Sequence, residues 1–156
     1  MINIRKLEKK DNKYFNKLIK DEDSNYKEFL SMGWSLKQIN NQFNKSTNLS
    51  YGAFYKDLMI SFIFGDLINI EKISEYEILL IYVSKDFRKK GLGTELLKKI
   101  EENNNCLKKI YLEVSKNNLQ GISFYRKMGF KNTYTRKGYF LIGNKKIDSL
   151  VMLKNY

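Results

Sequence analysis

At 156 residues with no repeat, linker or low-complexity tail, residues 1–156 read as a single domain with one substantial core. The formal charge is +12, but the lysines are scattered as pairs (Lys9-Lys10, Lys98-Lys99, Lys108-Lys109, Lys145-Lys146) and form no basic block, so direct nucleic-acid binding is not expected. No histidine and a lone cysteine, Cys106, exclude Ser-His and Cys-His nucleophile pairs, internal disulfides and imidazole metal sites, leaving Glu, Asp, Tyr, Lys or Cys to move protons.

Met1 to Arg5 begins directly in a strand pattern and lacks the apolar core of a signal peptide. No apolar run reaches the ~20 residues that span a bilayer. A cytoplasmic protein without a metal is expected. Ile2 and Ile4, with Leu7, alternate as a first strand. A helical stretch carrying Tyr14, Phe15, Leu18 and Ile19 follows. Trp34 to Ile39 reads as a second helix, with Ser35 as N-cap and Gln38 as its capping-box partner. Leu49–Tyr55 and Leu58–Asp66 are strands joined at Lys56-Asp57.

Glu77-Ile78-Leu79-Leu80-Ile81-Tyr82-Val83 has the length and β-branched content of a buried strand. Behind it comes Arg88-Lys89-Lys90-Gly91-Leu92-Gly93-Thr94, and then a helix with Leu92, Leu96, Leu97 and Ile100 on one face. A strand, a basic glycine-containing loop and a helix N-terminus make an anion site, because the first helical N–H groups are free and glycine lets a phosphate approach the backbone. A dinucleotide loop would need a third glycine at Leu96, and a P-loop would need Gly-Lys-Ser/Thr. Neither is present.

Ile110, Leu112 and Val114 alternate with Tyr111 and Glu113 as the next strand, which puts Glu113 on the side opposite the apolar residues. Asn118 caps a helix from Leu119 to Met128 that stops at Gly129. Tyr125 shares a face of that helix with Leu119, Ile122 and Met128, the pattern of a packed aromatic, yet it is near enough in sequence to approach the same cleft as Glu113. A carboxylate and a phenol beside an anion loop can serve as base and acid in one reaction. Tyr134–Ile142 and Lys146–Leu153 close the chain as a hairpin about Gly143-Asn144. The element order β-α-α-β-β-β-α-β-α-β-β predicts a mixed α/β domain around one central sheet flanked by helices.

The spacing Arg-x-x-Gly-x-Gly resembles the acyl-CoA pyrophosphate loop of the GNAT family of N-acetyltransferases. Glu113, Asn118 and Tyr125, with Gly129-Phe130, resemble the pattern Leu-Glu-Val-(four)-Asn-(six)-Tyr-(three)-Gly-Phe of its ribosomal-protein-alanine N-acetyltransferases. Trp34-Ser35, Arg136 to Phe140 and Asp148 to Met152 are similar to further segments of that subfamily. The resemblance implies the GNAT fold, acetyl-CoA as co-substrate and no metal. It implies Glu113 as general base and Tyr125 as general acid, with Glu77 a less favoured base. The backbone of Ile81, Tyr82 and Val83 would hold the acetyl carbonyl and pantetheine arm. Arg88, Lys89, Gly91, Gly93 and Thr94 would hold the pyrophosphate, and Asn118 would contact the CoA arm. The implied acceptor is a protein N-terminal α-amine, that of the N-terminal alanine of a small-subunit ribosomal protein. Two alternatives stand beside it: a small-molecule or lysine amine, and a non-catalytic basic module on RNA or the ribosome.

Overall fold

The computed structural model describes residues 1–20 and 33–156, the side chains of residues 19 and 20 excepted; the expected helical position of the Ile19 side chain lies outside the described residues. Among the described residues the elements are, in chain order, β1 (Ile2–Lys6), α1 (Asn12–Lys20), α2 (Leu36–Gln42), β2 (Tyr51–Tyr55), β3 (Leu58–Ile70), β4 (Ile73–Val83), α3 (Leu92–Glu102), β5 (Leu107–Ser115), α4 (Leu119–Lys127), β6 (Lys131–Ile142) and β7 (Lys145–Asn155). This is the order read from the sequence. β3 and β4 are longer than the sequence reading, because Leu67–Ile70 and Ile73–Tyr76 extend the two strands and pair with each other.

The seven strands form one sheet in the order β1-β2-β3-β4-β5-β7-β6. Neighbours are antiparallel except β4 and β5, which run parallel. The helix between that parallel pair, α3, and the next one, α4, cover one face. Leu96, Leu97, Ile100, Ile122 and Tyr125 pack there on Tyr76, Ile78, Ile110, Leu112 and Val114. On the other face Phe15, Ile39 and Phe43, from α1, α2 and the end of α2, pack on Phe54, Phe62, Phe64, Leu80 and Tyr82. Burying apolar surface on both faces makes this a three-layer domain. The Ser35 cap forms as expected: its hydroxyl accepts from the Gln38 N–H at 3.3 Å, and the Gln38 side chain accepts from the Ser35 N–H at 2.8 Å. Leu119 departs from expectation. It is 75% exposed, because it opens α4 at the loop edge, one turn beyond the core that holds Ile122 and Tyr125.

One irregularity positions everything that follows. In the β3–β4 ladder Phe64 pairs with Leu80 but Gly65 pairs with Ile78, so Leu79 is an extra residue on β4. A bulge of this kind reverses which face the following side chains meet. Tyr76 and Ile78 therefore pack under α3 and α4, whereas Leu80 and Tyr82 pack under α1 and α2. Gly65 is required opposite the bulge, since a Cβ there would collide with the Tyr76 ring and the Glu77 carbonyl. The parallel β4–β5 pairing ends at the same level, with Ile78 opposite Leu112. Past that point both strands continue, β4 to Val83 and β5 to Ser115, without pairing to each other. The sheet has a gap at its centre.

Candidate active site

On the helix side the gap opens into a cavity of about 460 Å³. Ile81, Tyr82, Val83, Arg88, Lys89, Gly91, Gly93, Thr94 and Asn118 all line it, as does Tyr125. The β4 edge beyond Ile78 has lost β5 as a ladder partner, so its backbone groups face the cavity. At the far end, α3 starts at Gly91 in the left-handed conformation (φ 83°), with no side chain capping its first turn. The first intrahelical bond of this helix is Glu95 N–H to Gly91 O at 3.0 Å. The N–H groups of Leu92, Gly93 and Thr94 thus have no intrahelical acceptor and carry the positive end of the helix dipole into the cavity.

The two glycines do different things. Nothing lies within 4 Å of where a Gly91 Cβ would be, so Gly91 is needed for its backbone angle and leaves open space above the turn. A Cβ on Gly93 would meet the Phe124 ring at 3.2 Å, so Gly93 is needed for the close approach of α3 to α4. Lys89 also adopts a left-handed angle (φ 60°), and the Arg88 Nε donates to the Val83 carbonyl at 2.8 Å, tying the loop to the end of β4. At the other wall the Asn118 carboxamide accepts from the Gly121 N–H at 2.9 Å and starts α4.

Phe87, Leu92, Gln120, Gly121, Phe124 and Lys127 line the cavity too and were not read from the sequence. Gly121 left a signal: a glycine in the first turn of a predicted helix needs a reason. A Cβ there would sit 2.6 Å from the Asn118 amide nitrogen.

Tyr125 is 8% exposed and packs edge-on against Phe124 and Phe130, with ring centroids 5.3 and 5.6 Å away. Burial raises its phenol well above the ordinary value, so it keeps its proton at neutral pH.

Glu113 is not in this cavity. It projects from the other face of β5, as the alternation predicted, so the strand separates it from Tyr125 and the two do not share one pocket. Its carboxylate accepts from the Ser149 hydroxyl at 3.1 Å and pairs with Arg136 at 3.3 Å. The Arg136 guanidinium lies over the rings of Tyr134 and Tyr139, at 5.7 and 5.2 Å. On the same side the Tyr111 hydroxyl reaches Glu77 at 3.4 Å. Burial, then the charge of Asp66, raises the Glu77 carboxyl above the ordinary range. Burial, then the charge of Glu77, pushes Tyr111 up to about 12. Asp66 itself is held by Gln42 (2.8 Å), Thr47 (2.9 Å) and Lys45 (3.1 Å).

The central gap therefore has two unlike sides. One is an elongated cavity ending in free N–H groups and cations. The other is a polar, acidic face. A long anionic group-donor fits the first, and a cationic acceptor fits the second.

The sequence model described as the acetyltransferase (GNAT) family matches residues 14–130. The chain belongs to that family. Acetyl-CoA is its co-substrate, and the cavity fits one, with an uncapped helix start and open space at Gly91 for a pyrophosphate. Among solved structures, the chain is similar to Arabidopsis thaliana NAA60 in complex with a bisubstrate analogue, at 18% identity and a TM-score of 0.79, covering 99% of this chain and 98% of that one. It is similar to the ribosomal-protein-S18-alanine N-acetyltransferase of Escherichia coli, at 19% identity and a TM-score of 0.73, covering 99% and 94%. It is also similar to an IAA acetyltransferase from Bacillus cereus, at 18% identity and a TM-score of 0.72, covering the whole of both chains. These likenesses establish the fold. Among the described residues no helix is long and apolar enough to cross a membrane.

Proposed function

We propose that this enzyme transfers acetyl from acetyl-CoA to the N-terminal α-amine of a protein, with the N-terminal alanine of a small-subunit ribosomal protein as the leading candidate. The observation that carries the reading is the two-sided gap. Acetyl-CoA lies in the cavity with its pyrophosphate on Arg88, Lys89, Gly91, Gly93 and Thr94, and its arm passes Asn118. The thioester reaches through the gap beside Ile81, Tyr82 and Val83, whose backbone holds the carbonyl. The acceptor arrives from the opposite face as an ammonium, attracted by Glu77 and Glu113.

Glu113 takes a proton from the ammonium, directly or through water. The free amine attacks the carbonyl carbon, and the C–S bond breaks. Tyr125, across the strand on the co-substrate side, gives its proton to the departing thiolate. The adduct nitrogen still carries one proton more than the amide, and that proton passes through water to the Tyr125 phenolate; the acceptor thus loses two protons, one to Glu113 and one that restores Tyr125, while the thiolate gains one. An α-amine has a pKa near ~8 against ~10.4 for lysine, so a modest carboxylate suffices for it.

The S18-alanine N-acetyltransferase supports a polypeptide acceptor by analogy of fold, and a small-molecule acceptor is the second reading. The test compares a peptide beginning with alanine against the same peptide with a blocked N-terminus and an internal lysine, followed by mass spectrometry. Acetylation of the free-alanine peptide alone is expected. Equal or faster reaction of the blocked lysine peptide would refute the proposal.

A further inference from the structure

One lysine pair of the sequence gains a third lysine in the fold. Lys145 and Lys146 open β7, and the loop after β5 brings Lys116 beside them. The three line a second, open hollow of about 440 Å³ with Asn117, Ile147 and Asp148. All three lysines are exposed, and among the described residues none makes an ion pair. The single carboxylate in the lining is occupied: Asp148 Oδ1 accepts from the Gly138 N–H at 2.9 Å. The hollow sets three lysines against that one carboxylate and is net cationic.

Its position is set by register. β5 ends at Ser115 opposite Ser149, so Lys145 and Lys146 overhang the end of β5 where the gap opens. Ser149 is also the residue that bonds Glu113 and lies opposite Arg136. Lys146 and Lys145 precede it by three and four residues, which is roughly 10–14 Å along a strand. An extended peptide advances ~3.3–3.6 Å per residue. With its amine at Glu113, its fourth and fifth residues come level with these lysines.

We infer that Lys116, Lys145 and Lys146 form a docking surface for acidic side chains at about the fourth and fifth positions of the acceptor polypeptide. The inference rests on the polypeptide-acceptor reading above and adds a sequence preference to it. An RNA partner fits less well. The cluster is confined to one hollow, and the exposed rings nearest it, Tyr134 and Tyr139, are already covered by Arg136 and are not free stacking platforms.

The experiment uses the full chain with acetyl-CoA and three peptides that share a free N-terminal alanine, carrying Asp-Glu, Ser-Ser or Lys-Lys at positions four and five. The expected order of kcat/KM is acidic above neutral above basic. About tenfold should separate the first two, the size of two or three exposed ion pairs, with the difference in KM. Raising salt from 50 to 300 mM should shrink the spread, and Lys145→Glu with Lys146→Glu should reverse the order. Fluorescence anisotropy of the same peptides, labelled at the C-terminus, reads docking without turnover. If no peptide is acetylated, the polypeptide-acceptor reading fails, while tighter binding of the acidic peptide that the double variant abolishes would still uphold the docking surface. Equal KM and equal binding for all three peptides would overturn the inference. So would a double variant that loses salt-dependent binding of a ribosomal RNA fragment but keeps its ranking of peptides.

Discussion

Replacing Tyr125 by phenylalanine separates its packing role from its chemical one. The ring is buried between Phe124 and Phe130, and phenylalanine keeps those edge-on contacts. The hydroxyl bonds no described residue, and its raised pKa comes from burial alone. Removing it thus breaks no internal hydrogen bond, and the change in stability should stay within about 1 kcal/mol. For a domain of this size that is a Tm shift of no more than ~2–4 °C. Turnover should respond quite differently. A positioned general acid contributes ~10²–10⁴-fold, so kcat should fall at least a hundredfold, which is about 2.7 kcal/mol on the barrier. The assay pairs a thermal melt with steady-state kinetics on an alanine peptide, with thiol release detected directly. A variant that keeps kcat within threefold and loses several degrees of Tm would show that Tyr125 is a core aromatic and nothing more.

Acetyl-CoA at a hundredfold excess over Kd should stabilise the native chain by about 2.7 kcal/mol. Both Gly91→Val and Gly93→Val should erase the corresponding Tm shift, the first through its left-handed backbone and the second by displacing Phe124; an undiminished shift in both would remove the α3 N-terminus from the site. Glu113→Gln should lower kcat ~10²–10⁴-fold with little change in acetyl-CoA affinity, and Glu77→Gln less than tenfold; the reverse order would move the base to β4. The Glu77 carboxyl is raised by burial, so its ionised form opposes folding above its folded pKa and the opposition fades as pH falls through that value. Glu77→Gln should therefore raise Tm slightly at pH 7.5 and not at pH 4, which a melt series checks. Asp11 has the opposite sign: the Arg5 guanidinium, at 2.8 Å, holds its carboxyl below the ordinary range. It stabilises above pH ~3.9 and loses that contribution as pH falls through its lower folded value. Asp11→Asn should cost about 1–3 kcal/mol at pH 7, and denaturant titration should show that cost shrinking progressively as pH falls below ~3.9.

What the sequence revealed follows from what is local in it. The β4–loop–α3 segment is contiguous, and so is the run from Glu113 to Phe130. Their strand, turn and helix signals depend on neighbours in the chain, and the residues they nominate fall around one gap. The bulge at Leu79 was not legible, because it exists only through the pairing of Gly65 with Ile78. With it went the knowledge that Leu80 and Tyr82 change faces and that β4 and β5 part at Ile78 and Leu112. The separation of Glu113 from Tyr125 has another source: the alternation along β5, legible in the sequence, puts Glu113 on the face away from α4, where Tyr125 is packed. Long-range partners stayed hidden as well. Nothing near Glu113 in sequence announces Arg136 or Ser149, and nothing near Lys116 announces Lys145 and Lys146.

The central claim is that donor and acceptor meet through the gap from opposite faces of the sheet. A crystal structure with CoA joined through an acetyl bridge to the amine of an alanine peptide tests it most directly. The account predicts the pyrophosphate on the first turn of α3, the sulfur near Tyr125, and the peptide leaving past Glu113 along β7. A peptide that returns along the α3–α4 side, with Glu113 and Arg136 untouched, would contradict it.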